Sequence, residues 1–169
     1  MSGRVGLGYD VHPFGAEGTL VLGGVTLDGP GLVGHSDGDA VTHAVADALL
    51  GALAMGDLGT LFPASDDQWA GARSLELLAD VATRVADAGW RVVNVDVVVA
   101  AERPRLAPFV AAMAANLADA LDPALDGNDP DGLPAVSVKP KFGEGVGAVG
   151  RGEAVAVWAI ALLEPASAH

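Results

Sequence analysis

The sequence predicts an α/β (α+β) chain, in which a mixed β-sheet is covered by three helices on one face and carries a small β-hairpin. Three observations predict it. Strand-like and helix-like segments alternate along the chain, a pattern that packs helices onto a sheet. Leu20-Val21-Leu22 and Val25-Thr26-Leu27 flank Gly23-Gly24 and read as a hairpin with a two-glycine turn. The last apolar segment, Ala154-Val155-Ala156-Val157-Trp158-Ala159-Ile160-Ala161, does not alternate, so its strand is covered on both faces. One cover is the chain's own helices. A chain of 169 residues has few elements left to supply the other, so we expect an oligomer with sheets facing its interior.

The elements follow in order. Val5 to His12 is the first strand, and the hairpin comes next. Ala40 to Met55 is an apolar helix with Asp37, Gly38 or Asp39 at its cap. Ser74 is suited to cap a second helix running to about Ala88, closed by Gly89. Arg91 to Ala101 is a Val-rich strand. Pro108 sits in the first turn of a third helix that ends near Leu121. Asp122 to Pro134 is an acidic loop. Ala135 to Val138 and Glu153 to Leu163 are the last strands, separated by a glycine-rich segment, Gly143 to Gly152. Residues 1–163 read as a single domain and 164–169 as a C-terminal tail.

Composition limits the partners. Nine basic residues against 22 acids give a net charge of -13, which argues against nucleic acid and against anionic membrane surfaces. The longest apolar run, Ala154 to Leu163, is about half a membrane span. The N-terminus enters a strand-like segment directly, so no signal peptide is expected and the expected location is cytoplasmic. Without cysteine, any metal must be held by His, Asp or Glu.

Three of the four histidines, His12, His35 and His43, lie in the first 43 residues, and His169 reads as a solvated terminus. Asp10 and His12 are two apart on a strand and point to one face. His43 on the first helix can bring a third ligand to the same point. Two imidazoles and a carboxylate suit Zn²⁺ with an open fourth position. Asp47, one helical turn after His43, is placed to hold its other ring nitrogen. The alternative is that His12 is a strand-end polar residue and His43 an ordinary helix histidine. Spacing alone does not decide between them. Gly34 to Asp39 precede the helix and can offer amides and the Ser36 hydroxyl to a phosphate, or simply cap it. Both lysines fall in Lys139-Pro140-Lys141-Phe142-Gly143-Glu144, ahead of Gly150-Arg151-Gly152-Glu153. In so acidic a chain this concentration suggests an anion site, with Glu144 placed to hold a phosphate-bridging Mg²⁺. Arg151 and Glu153 read as a structural pair.

Four motifs taken together are distinctive: Gly8-Tyr9-Asp10-Val11-His12; His35-Ser36-Asp37-Gly38-Asp39; His43 with Asp47-Ala48-Leu49-Leu50-Gly51; and Gly56-Asp57-Leu58-Gly59 running to Leu61-Phe62-Pro63. In these the sequence resembles the 2-C-methyl-D-erythritol 2,4-cyclodiphosphate synthases of non-mevalonate isoprenoid biosynthesis, over nearly its whole length. The resemblance implies a lyase and a homotrimer of small α/β subunits, with active sites between neighbours. It implies a cytidine diphosphate-linked substrate whose 2-phosphate attacks the β-phosphorus, forming the cyclic diphosphate and expelling CMP. It also implies Zn²⁺ on Asp10, His12 and His43, and Mg²⁺ or Mn²⁺ on Glu144. His35 and Ser36 would touch a phosphate, with His35 stabilising the transition state. Asp57, Leu58 and Gly59 would hold the erythritol hydroxyls, flanked by Phe62 to Asp66. Ala101 to Ala107, with Arg105 and Leu106, would form the cytidine wall.

The chain departs from the family at three places. The usual Lys-Ala-Thr-Thr-Thr-Glu is Lys139-Pro140-Lys141-Phe142-Gly143-Glu144, so a phosphate-contacting threonine falls at Phe142 and Lys141 would supply a cation instead. The usual Pro-Lys is Pro104-Arg105, which keeps charge but not geometry. The usual Gly-Phe is Gly147-Ala148. Two alternatives therefore stand beside the synthase: a related metal-dependent phosphoryl-transfer enzyme with an altered substrate, and a non-catalytic trimer binding an isoprenoid diphosphate with Arg151 as anchor.

Overall fold

A computed structural model describes residues 3–34, 36–125 and 132–166. Its elements are β1 (Arg4–Leu22), β2 (Val25–Leu32), α1 (Ala40–Ala52), the single turn α2 (Leu58–Leu61), α3 (Ser74–Asp87), β3 (Trp90–Ala100), α4 (Val110–Leu121), β4 (Val136–Lys141), the short α5 (Gly147–Gly150) and β5 (Ala154–Pro165). One five-stranded sheet runs β2-β1-β5-β3-β4. Only β3 and β4 pair in parallel, so the sheet is mixed.

Two glycines set how closely the first helix lies on the sheet. Gly6 and Gly8 face α1, where an added Cβ would stand 1.8 Å from the Ala48 carbonyl oxygen and 1.9 Å from that of Ala44. Backbone therefore packs on backbone, and the Ala44, Ala48 and Ala52 row of α1 fits against the strand. The same face of β1 continues from Gly6 and Gly8 to Asp10 and His12. α3 and α4 complete the helical layer, and Leu49, Leu78, Val81, Met113 and Leu117 are fully buried with Val97 and Val157 beneath it.

The opposite sheet face is open in the single chain. Leu7 pairs with Ile160 and Tyr9 with Trp158. Val5, Leu7, Tyr9, Val11, Trp158 and Ile160 are all exposed, with Leu7 64% accessible. The Tyr9 and Trp158 rings lie 5.3 Å apart.

Several boundaries differ from the sequence expectation. β1 is one strand of 19 residues, not a strand followed by a hairpin arm. Its first half pairs with β5 and its second with β2, with register shifts between Phe14 and Leu20. The hairpin register is as expected, with Leu22 opposite Val25. α1 ends at Ala52, because Ala54 turns left-handed (φ 56). Met55 N–H then returns to the Leu50 carbonyl at 2.9 Å, closing the helix three residues early. Ser74 is the first residue inside α3, not its cap. The cap position is Arg73, whose side chain makes no capping bond. The acidic loop begins with a 3-10 turn, Asp122–Ala124. β4 continues through Pro140 to Lys141, which an edge strand tolerates because its outer N–H groups need no partner. β5 runs two residues into the expected tail, where Arg91 meets Glu164 at 3.0 Å.

Candidate metal and phosphate site

Asp39 aligns the elements that carry the site. It caps α1, accepting Val41 N–H and Thr42 N–H at 3.1 Å each and the Thr42 hydroxyl at 2.7 Å. The same carboxylate accepts the turn amides of Gly23 at 2.8 Å and Gly24 at 2.7 Å. The far end of β1 is thereby tied to the start of α1, a charged capping arrangement that holds a wholly buried acid.

Close packing on Gly6 and Gly8 then brings His43 of α1 down onto Asp10. His12 Nε2 lies 2.8 Å from Asp10 Oδ2, and His43 Nδ1 lies 3.0 Å from the same oxygen. One donor atom from each of the three residues falls within a mutual 4.8 Å. Asp10 Oδ1 accepts Val11 N–H at 2.9 Å, which turns Oδ2 inward. His12 Nδ1–H donates to the Val33 carbonyl, leaving Nε2 to face inward. His43 Nε2 contacts the hydroxyls of Ser74 at 2.8 Å and Ser36 at 3.0 Å.

Electrostatics follow this geometry. Burial alone would raise the Asp10 carboxyl, but hydrogen bonds and charge from both imidazoles outweigh it and hold the group well below the usual carboxylate range. Asp10 in turn raises the His12 ring above its ordinary value, against burial and with help from the Val33 carbonyl. The donor set fits a borderline divalent ion: two inward nitrogens whose outer nitrogens are already engaged, and one ionised oxygen, all half-buried.

Asp47 does not hold His43. Its Oδ1 accepts the Leu58 amide at 2.7 Å, and the outer nitrogen of His43 is taken by the two serines. One helical turn places Asp47 on the right side of α1, but its carboxylate is taken by the loop that follows the helix. Asp57 caps α2, accepting Thr60 N–H at 2.7 Å and its hydroxyl at 2.8 Å; these bonds lower its carboxyl below the ordinary value. Leu58, Gly59 and Phe62 join Ser36 and His43 around a cavity of about 100 Å³, which Trp69 and Leu77 complete. Sequence reasoning did not find Trp69. Its ring stands edge-on to Phe62 at 5.0 Å. Asp66 sits one step back, capping the turn that carries Trp69 by accepting Gln68 N–H at 3.1 Å. His35 lies outside the described residues.

The second group of expected residues gathers elsewhere. Ala101, Arg105, Leu106, Lys141 and Phe142 line a separate cavity of about 140 Å³ with Ala107 and Pro140. Phe142 and Arg105 also form part of a broader cleft of about 820 Å³ that reaches Phe14 and Asp28. Strand register relates the two groups: Val11, Ala156, Ala100 and Lys141 lie in one row across the sheet. The Asp10, His12 and His43 cluster and Lys141 are thus at the same end of the sheet, three strand spacings or about 14 Å apart. Lys139 is removed from the expected anion site by its 2.5 Å ion pair with Asp96 on β3. Glu144 is exposed at φ 52 and joins no cluster of potential ligands among the described residues. Arg151 forms a two-pronged pair with Glu153, at 2.7 and 2.9 Å, on the surface.

Comparison with known proteins adds to this geometry. The YgbB family profile matches residues 3–164. A 2-C-methyl-D-erythritol 2,4-cyclodiphosphate synthase of Thermosynechococcus vestitus is 51% identical over 162 residues, 95% of this chain and 96% of its own length. The bifunctional IspDF of Campylobacter jejuni superposes with a TM-score of 0.88 at 38% identity, over 97% of this chain and 42% of that longer one. The CDP complex of IspF from Plasmodium falciparum does so with a TM-score of 0.82 at 31% identity, over 98% of both chains.

Proposed function

This chain belongs to the YgbB family, and from that membership we propose its reaction: it converts 4-diphosphocytidyl-2-C-methyl-D-erythritol 2-phosphate to 2-C-methyl-D-erythritol 2,4-cyclodiphosphate and CMP. An oxygen of the 2-phosphate forms a bond to the β-phosphorus, and the bond from that phosphorus to the CMP oxygen breaks. The attacking oxygen is already anionic, so the protein has little proton transfer to perform. Its work is to hold a polyanion in line and neutralise its charge.

The observation that carries this reading is the convergence of Asp10 Oδ2, His12 Nε2 and His43 Nδ1 beside the Ser36 hydroxyl. Zn²⁺ on these three atoms, and Mg²⁺ or Mn²⁺ on Glu144, would supply positive charge to the phosphate oxygens. Ser36 and His35 donate to a phosphate. Leu58 and Gly59 receive the erythritol portion against Phe62 and Trp69, in a turn held by Asp47 on the Leu58 amide and by Asp57 on Thr60. Ala101, Arg105 and Leu106 bind the cytidine, in keeping with the Plasmodium falciparum relative whose structure is a CDP complex. Lys141 takes the place of the threonine lost at Phe142, which closes the nucleotide cavity on one side.

The assembly we propose is a homotrimer that shares its sites between neighbours. The uncovered apolar face of β1 and β5 supports it, since a surface of this kind marks an interface. Among the described residues no helix is long and apolar enough to cross a membrane; we place the enzyme in the cytoplasm.

Phosphorus NMR of the protein with its substrate, Zn²⁺ and Mg²⁺ or Mn²⁺ tests the reaction. Metal-dependent appearance of the cyclic diphosphate with an equal amount of CMP is expected. Unchanged substrate from a zinc-loaded protein would overturn it.

A further inference from the structure

His43 can serve as a ligand through Nδ1 only if its ring proton sits on Nε2, because a neutral imidazole has one donor and one acceptor nitrogen. The surroundings of Nε2 therefore decide whether the metal finds a lone pair. Nε2 is 2.8 Å from the hydroxyl of Ser74, the first residue of α3, which is 1% exposed. The Ser74 hydroxyl also meets Asp37 Oδ1, and the Ser74 amide donates to Asp37 Oδ2 at 3.1 Å.

The direction of these bonds is fixed from one end. A carboxylate only accepts, so the Ser74 proton must point to Asp37. The Ser74 oxygen then presents a lone pair to His43, so Nε2 carries a proton, and the Nδ1 that faces Asp10 Oδ2 at 3.0 Å is the nitrogen left for the ion to take. We propose that Asp37, acting through Ser74, sets the tautomer of His43 and so makes Nδ1 a metal ligand. This rests on the metal reading above and assigns two positioning residues to it, neither of which touches the metal or the substrate in that role. Among the described residues every partner of the Asp37 carboxylate is a donor: Ser74 N–H, Ser74 O–H and Asp39 N–H at 3.3 Å. An amide at this position must turn its own N–H₂ toward at least one of them, so Asp37→Asn is not a neutral change.

The relay also accounts for Ser36. Its oxygen lies 3.0 Å from His43 Nε2 and 3.2 Å from Ser74 Oγ. With the Nε2 proton taken by Ser74 and the Ser74 proton by Asp37, no member of the network requires the Ser36 proton. Ser36 keeps it for an acceptor in the adjoining cavity, which matches the phosphate contact proposed for it.

The test is zinc affinity, read by competition with a chromophoric chelator, together with the visible absorption of the Co²⁺-loaded protein. Ser74→Ala and Asp37→Asn should each weaken zinc binding about 10- to 100-fold, the range for loss of a ligand's outer partner. Both should also alter the Co²⁺ bands. Ser74→Thr, which keeps the hydroxyl, should restore affinity and spectrum. A purely structural role for Ser74 would lower the unfolding temperature of the metal-free protein and leave the Co²⁺ bands of the folded fraction unchanged, and that result overturns the relay. Wild-type zinc affinity in folded Ser74→Ala, or in Asp37→Asn should Ser74→Ala not fold, also overturns it. Folded wild-type protein that takes up no zinc would instead remove the metal reading on which the relay stands.

Discussion

Asp47 accepts the Leu58 amide at 2.7 Å, so the middle of α1 holds the loop that follows its own end. Burial raises the Asp47 carboxyl above its ordinary value, and the charges of Asp57 and Asp10 add to this against the Leu58 bond. A carboxyl raised on folding favours the folded state below the ordinary carboxylate pKa. That contribution is lost as pH rises through the folded value. Asp47→Asn can still accept the amide and carries no charge. Its unfolding temperature should therefore gain on wild type as pH rises out of the acid range, then stay level near neutrality. Asp47→Ala leaves Leu58 N–H unpaired at a cost of about 1–3 kcal/mol and should raise KM. Thermal melts across pH, with steady-state kinetics for the alanine variant, check both.

Gly8→Ala should damage the metal site without touching a ligand. Its new Cβ would stand 1.9 Å from the Ala44 carbonyl oxygen, one residue from His43. Backbone must move, so we expect a loss above about 3 kcal/mol, beyond ordinary overpacking. Metal analysis of the surviving folded protein should find zinc well below one equivalent. A variant with full zinc content would show that the approach of α1 to β1 has slack.

Lys141→Ala should lower kcat/KM about 10- to 100-fold, corresponding to loss of one charge-assisted contact of about 1.5–3 kcal/mol. Zinc content should stay whole, because Lys141 lies three strands from the ligands. Unchanged turnover would mean that the segment ending in Phe142 reaches the phosphates by another group.

Much of this was legible in the sequence. The two-residue spacing of Asp10 and His12, and the glycine turn at Gly23-Gly24, are local patterns with a single geometric meaning. The α1 cap is legible only as one of Asp37, Gly38 and Asp39, and the structure selects Asp39. Contacts between distant segments were not legible. Nothing near Ser74 announces that its hydroxyl faces His43, 31 residues earlier, and its position before an apolar run suggested a cap instead. Helical phase points Asp47 at His43, whereas the returning loop takes its carboxylate through Leu58. Pro13, Gly15 and Gly18 interrupt the strand pattern of β1, yet the strand continues by exchanging partners from β5 to β2. At Pro140 the edge position of β4 overrode a residue that normally ends a strand.

Trp158→Glu should dissociate the assembly. Trp158 lies on the open apolar face beside Tyr9, and three copies would bring three added charges together there. Light scattering should show a trimer for wild type and a monomer for the variant. A wild-type monomer at micromolar concentration would count against the proposed assembly.

The grip of Asp39 on Gly23 and Gly24 has a consequence for how an ion is received. In small zinc domains the ion itself cross-links a floppy chain, so metal uptake and folding are one event. Here the hairpin turn and the start of α1, which lie between His12 and His43, are already tied together by hydrogen bonds to Asp39 that involve no ligand. The three donor atoms are preassembled, and loading them needs no chain ordering. Chelated protein should therefore keep its far-ultraviolet circular dichroism and reload quickly, the behaviour expected when the proposed ion is an exchangeable reagent of a finished scaffold and not the pin that holds it together.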